Sequence, residues 1–141
     1  MKVDLAYPLT PFLAWLVAGS LKFAVNSLRA GQPAFGLIGY GGLPSNHSAI
    51  VSSMATLIAL REGTDSPAFG VAITLAFIVI MDAKSLRHQV GQQAVILNRL
   101  RPNAKVEERL RERIGHTLME ILAGVLTGVA VGVAASLISW T

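Results

Sequence analysis

Cysteine is absent from the 141 residues, which excludes a disulfide framework and any thiolate metal site and leaves the redox compartment unmarked. Charge is scarce at 14% of the chain, and Asp, Glu and His form no dense cluster of the kind a divalent cation needs. No metal and no other cofactor are therefore expected. Aromatic residues, 6% of the total, do not interleave with bases as a base-stacking platform requires, so nucleic acid is not an expected partner. An Ala-x-Ala-like cleavage pattern is also missing after Met1-Lys2-Val3-Asp4, and this end is expected to be retained.

What is present is apolar. A hydrophobic fraction of 52% and a mean hydropathy of +0.56 exceed what an ordinary soluble domain of this size carries. The expectation is an all-α integral membrane bundle forming one domain over 1–141. Four apolar segments organise it: Leu5 to Leu28, Ser48 to Leu60, Pro67 to Met81 and Thr117 to Trp140. Pro8 and Pro11 sit near the start of the first, where a helix tolerates them. The middle two are near or below the roughly 20 residues that span a bilayer, and Arg61 to Pro67 joins them as a helical hairpin. In the last, Gly124, Gly128 and Gly132 recur every four residues, a face for close approach of another helix within the chain or across a homo-oligomer.

A polar insertion, about 83–115, separates the third and fourth segments. Leu86, Val90, Ala94 and Leu97 give an amphipathic helix that Pro102-Asn103 breaks. A second helix is expected beyond it, with Val106, Leu110 and Ile114 on one face. Arg109, Arg111 and Arg113 alternate with Glu107, Glu108 and Glu112 around that helix, as a solvated face or a site for anionic headgroups. Asp82 is expected to pair with Lys84 or Arg87. His88 reads as solvated, and Gln92, Gln93 and Asn98 as polar contacts over a site.

The bases are distributed unevenly. Lys22 and Arg29 lie at the end of the first segment and eight more lie between the third and fourth, whereas Lys2 and Arg61 fall on the opposite side. By the positive-inside rule those basic loops face the cytoplasm and both termini face outward, in the cytoplasmic membrane. Lys22, Arg29, Ser45, His47, Arg87 and His116 can then converge on one membrane face. Among them, Gly41 to His47 is a glycine-rich turn opening a helix, where free N–H groups and the helix dipole suit a phosphate. The same pattern also reads as a capped helix with a polar histidine at its end. Lys22 and Arg29 could equally snorkel at the membrane edge, and His116 could cap the fourth helix.

Lys22-Phe-Ala-Val-Asn-Ser-Leu-Arg29, Pro44-Ser45-Asn46-His47 and His116-Thr-Leu-Met-Glu120 together resemble the three-part signature of the type 2 phosphatidic acid phosphatase and vanadium haloperoxidase superfamily, and are most similar to its divergent, small membrane branch. The resemblance implies that Lys22, Arg29 and Arg87 bind phosphoryl oxygens, supported by Ser45 and the backbone N–H of Asn46. It further implies that His116 is the nucleophile, that Glu120 orients it, and that His47 is the general acid. The pattern departs at Asn46 for Gly, Ala30 for Pro and Glu120 for Asp. The position six before His116, an Arg in the superfamily, is Leu110. The motif is read here as split by the insertion, with Ser85-Leu86-Arg87 and His116 as its halves. The implied activity is hydrolysis of a lipid phosphate or diphosphate through phosphohistidine, and the alternative is a non-catalytic membrane protein that keeps the anion pocket to hold anionic headgroups or partners.

Overall fold

The computed structural model describes residues 4–35, 42–102, 105, 108–112 and 114–138. Helix α1 spans Ala6–Ala30, α2 Asn46–Glu62, α3 Pro67–Met81, α4 Arg87–Leu100 and α5 Leu118–Leu137, with a π-helical turn at Asp82–Leu86 joining α3 to α4. Among the described residues, three helices are long and apolar enough to cross a membrane: α1, the continuous 34-residue run Pro67–Leu100, and α5. Helix α2 packs against α1, α3 and α5.

Side-chain size is distributed as a lipid solvent dictates, with small residues inside and large ones outside. The buried stripe of α1 is Ala6, Thr10, Ala14 and Ala18, while Phe12 on the same helix is 69% exposed. In α3 the buried residues are Ala72 and Ala76, and Phe77 faces outward. Lipid tails solvate leucine and phenylalanine as well as a protein core does, so helices associate through backbones that approach closely. The chain is an integral membrane helical bundle.

Closest approach occurs between α2 and α5. Gly124, Gly128 and Gly132 lie against the backbone carbonyls of Ser45, Ala49 and Ser53 respectively; a Cβ on Gly132 would stand 2.6 Å from the Ser53 oxygen. The glycine face is thus used within the chain, and the two helices run parallel. At one end the Ser45 N–H donates to the Glu120 carbonyl at 2.9 Å. At the other, Arg61 pairs with Asp4, donates to the carbonyls of Ala135 and Ile138 at 3.2 and 3.0 Å, and covers the Tyr7 ring. This clamp satisfies carbonyls left open at the end of α5 and fixes α1 antiparallel to its neighbours.

The expected second amphipathic helix is not found. Its described residues 108–112 form no α-helix, the Glu108 N–H closing only a tight turn on the Lys105 carbonyl at 3.0 Å, and the expected cap at Asn103 lies outside the described residues. Instead the segment crosses α4 as a strap. The Asn98 carboxamide accepts from Leu110 N–H at 2.9 Å and donates to the Leu110 carbonyl at 2.8 Å, supplying from α4 the bonds a helix would make internally. Gly91 makes room: a Cβ there would collide with the Glu112 carbonyl. Arg109 and Arg111, the described arginines of this segment, consequently do not lie on an α-helical surface.

Replacing Gly128 by Leu forces a side chain into the Ala49 backbone. The expected loss is about 1–3 kcal/mol of stability, seen as a lower melting temperature in detergent. An unchanged melting temperature would count against this helix contact.

Candidate functional site

Where α1 ends and α2 and α5 begin, the bundle encloses a cavity of about 870 Å³. Lys22 and Asn26 of α1, Asn46 and His47 of α2, Arg87 of α4, and His116 ahead of α5 all line it. Five of the residues singled out in the sequence are therefore brought to one hollow. Ser45 and Glu120 stand behind it. Ser45 is fully buried as the N-cap of α2, its Oγ accepting from Ser48 N–H at 3.4 Å. Arg29, exposed in the last turn of α1, does not line the cavity.

His116 is held from three sides. Its N–H donates to the Ala83 carbonyl in the π turn at 3.0 Å, Gly115 before it takes a φ of 105°, and its Nδ1 lies 3.3 Å from Glu120 Oε2. That same Oε2 accepts the Thr117 N–H at 2.9 Å, completing a capping box with the Thr117 hydroxyl. The helix cap thereby locks the carboxylate that faces the imidazole. A carboxylate only accepts, so Nδ1 carries the proton and Nε2 carries the lone pair. The His116 side chain is 8% exposed. Burial pushes its pKa below the 6.5 of an ordinary histidine, the Glu120 hydrogen bond and charge resist this, and the Lys22 and Arg87 charges reinforce it.

His47 faces His116 with ring centroids 6.2 Å apart. Arg87 bridges sideways: its Nε donates to Asp82 at 3.1 Å, and its Nη2 lies 3.4 Å from His47 Nε2. Because guanidinium only donates, Nε2 of His47 is the acceptor in this arrangement. The pairing of Asp82 is thus with Arg87, and His88 is exposed beside Gln92 at 3.1 Å. Asn46 lines the cavity, and its buried Oδ1 has no hydrogen-bond partner among the described residues. No group of three or more His, Cys, Asp or Glu side chains that could hold a metal ion is formed among the described residues.

Among the cations that line the cavity, one was not placed there by the sequence reading. Arg111 lines it from the strap, and Asn98 positions that strap through Leu110 and the Glu112 carboxylate. The alternation of charges around 107–113 gave no means of separating Arg111 from its neighbours, because helical periodicity was the wrong frame for a segment whose described residues form no α-helix. An arginine five residues before His116 was the available signal.

Fold and site define an all-helical integral membrane protein with a histidine- and cation-lined cavity at one end. A match to the divergent PAP2 family extends over residues 6–131, and the chain belongs to that family. It is also 34% identical over 96 residues to the uncharacterized membrane protein YuiD of Bacillus subtilis (strain 168), covering 67% of this chain and 61% of that protein. No solved structure matches the chain.

The Glu120 contact raises the His116 pKa against the larger effect of burial, so removing its charge should lower that pKa further. In an NMR titration His116 of the wild type should titrate below 6.5, and Glu120→Gln should titrate lower still. An upward shift in the variant would show that Glu120 does not face the imidazole.

Proposed function

We propose that the protein hydrolyses a lipid-linked phosphomonoester or diphosphate through a phosphohistidine at His116. The observation carrying this reading is the opposition of His116 and His47 across one cavity, 6.2 Å between ring centroids, with Lys22, Arg87 and Arg111 on its walls. The Nε2 lone pair of His116 attacks phosphorus while the bond to the leaving oxygen breaks, and protonated His47 delivers a proton to that oxygen. A phosphoryl oxygen that draws Arg87 to itself frees His47 Nε2 for this role. Water then attacks phosphorus as His47 takes its proton, the P–N bond breaks with its electron pair returning to His116 Nε2, and phosphate leaves with His116 restored. The three cations offset charge that develops on the phosphoryl oxygens.

A second reading, an anion-binding protein without turnover, is favoured by Leu110 at the place of the superfamily's third-motif arginine and by Arg29 standing outside the cavity. Assays of phosphate release from lipid phosphates and diphosphates separate the two. With the wild type active, His116→Ala should lose on the order of 10³-fold or more in turnover while still binding inorganic phosphate. Lys22→Ala or Arg111→Ala should each cost about 10²-fold, and Arg29→Ala much less. Equal release by wild type and His116→Ala would exclude His116 as nucleophile. Phosphate binding without release from any substrate would establish the second reading.

Attack requires unprotonated His116, so activity should rise with pH through that group's pKa, with the midpoint of the acid limb below 6.5. An acid limb above that value would assign it to another group.

The base count of the 82–115 region supports a cytoplasmic side for the site. Since the chain has no cysteine, Lys105→Cys supplies a unique label. In intact cells it should resist a membrane-impermeant maleimide and react after lysis; labelling of intact cells would reverse the orientation.

A further inference from the structure

We infer that a second copy of this chain docks on the outer face of α4, the two α4 helices pairing side by side as a short parallel coiled coil beyond the bilayer. Pairing of this kind is independent of turnover in the cavity. The run Pro67–Leu100 has 34 residues, so it rises about 50 Å, whereas the hydrocarbon of a bilayer is about 30 Å thick and takes about 20 residues to cross. The excess matches the 14 residues of α4. Arg87, which opens α4, lines the cavity at the end of the bundle, and α4 continues past that end. Its exposed Gln89, Gln92, Gln93 and Arg99 suit water and not lipid. The backbone stays helical through the π turn, with φ −61° and ψ −46° at both Met81 and Leu86. α4 therefore prolongs the course of α3 and does not fold back along the membrane surface.

Two sides of α4 differ. Gly91 and Ala94 are buried, and Asn98 beside them holds the strap. Another side, formed by Leu86, Val90, Gln93, Leu97 and Leu100, stays open among the described residues. Its apolar members range from 44% exposed at Val90 to 73% at Leu100. Their spacing is four, three, four and three residues, the repeat by which two helices mesh along a common seam. Val90 and Leu97 take the a positions, and Leu86, Gln93 and Leu100 the d positions. Ile96 extends the apolar surface at a g position.

The occupant that fits this face is its own copy. Copies inserted in one membrane share one orientation, so two α4 helices meet in parallel about a two-fold axis and Gln93 faces its counterpart. A single polar residue in an apolar seam fixes the alignment of the helices, at some cost in stability. Charge presents no barrier. Arg87 and Arg101, the cations flanking the seam at e positions, pair within their own chain, with Asp82 at 3.1 Å and Glu108 at 3.2 Å. Parallel pairing sets Gln89 against Ala94 and Ile96 against the Arg101 stem, so no like charges meet. Five seam residues fall short of the roughly 20 that each partner of a stable soluble complex contributes. Membrane anchoring compensates, because helices already formed and aligned lose less freedom on pairing.

Single cysteines report the pairing, since the chain has none of its own. In membranes of expressing cells, Val90→Cys and Leu97→Cys should oxidise to disulfide-linked dimers. Gln92→Cys, equally exposed but on another side of α4, should not. Association is then followed by energy transfer between donor- and acceptor-labelled Lys105→Cys proteins as they are diluted with phosphatidylcholine in vesicles. Leu97→Lys should weaken association by about tenfold or more, and Gln93→Leu, which makes the seam wholly apolar, should tighten it by about tenfold. Both positions are exposed, so neither change disturbs the bundle. Equal oxidation of Gln92→Cys and Leu97→Cys, or the same association in the parent, Leu97→Lys and Gln93→Leu proteins, would overturn the inference. So would a Leu97→Cys protein that forms no dimer and whose attached fluorophore is quenched by brominated phosphatidylcholine, which would assign this face to the bilayer surface.

Discussion

Backbone contact between α2 and α5 is the constraint on which the rest of the molecule depends. Three glycines of α5 meet three carbonyls of α2 at matching four-residue intervals, so the helices share one register over most of their length. Hydroxyls on α2 reinforce this by turning inward: Ser53 donates to the Ile50 carbonyl at 2.8 Å, and Ser48 to Ser45 at 3.1 Å. A helix this polar could not face lipid, and α1, α3 and α5 enclose it. Register at this seam also brings the two helix N-termini level, with Ser45 N–H on the Glu120 carbonyl. His47 and His116 are neighbours because of it.

The second dependence is that of chemistry on capping. Glu120 serves the α5 N-terminus and the His116 ring with the same carboxylate oxygen, so the orientation of the imidazole is set by a helix-stabilising motif. The π turn contributes in the same way, offering the Ala83 carbonyl to His116 N–H and carrying Asp82, which holds Arg87. π-helical turns recur at functional sites because the widened turn changes the direction of the side chains that follow. Here it redirects the run from apolar α3 to the cationic α4. Capping and site geometry are inseparable in this arrangement.

The match to the divergent PAP2 family runs over residues 6–131 and so takes in the strap as well as the helices that flank it. In this protein the cation supply to the cavity comes from α1, α4 and the strap together. Such a distributed set depends on tertiary contacts, above all Asn98 and the bare backbone of Gly91, to bring Arg111 to the histidines.

Much of the fold was legible in composition and spacing. Continuous apolar runs, Pro67 at the start of α3 and the break at Pro102 determined the helices within a few residues, because helix formation in an apolar solvent is a local matter of satisfied backbone bonds. The glycine spacing determined that α5 would be approached closely, and the four-residue spacing of His116 and Glu120 determined their contact. Tertiary structure alone decided that the partner of α5 is α2, that Arg29 stays outside the cavity and Arg111 enters it, and that 108–112 form no α-helix. Those outcomes follow from which backbone groups find partners across the bundle. Asn98 and Leu110 are twelve residues apart in sequence, and their pairing outcompetes the local helical bonds that periodicity alone would favour.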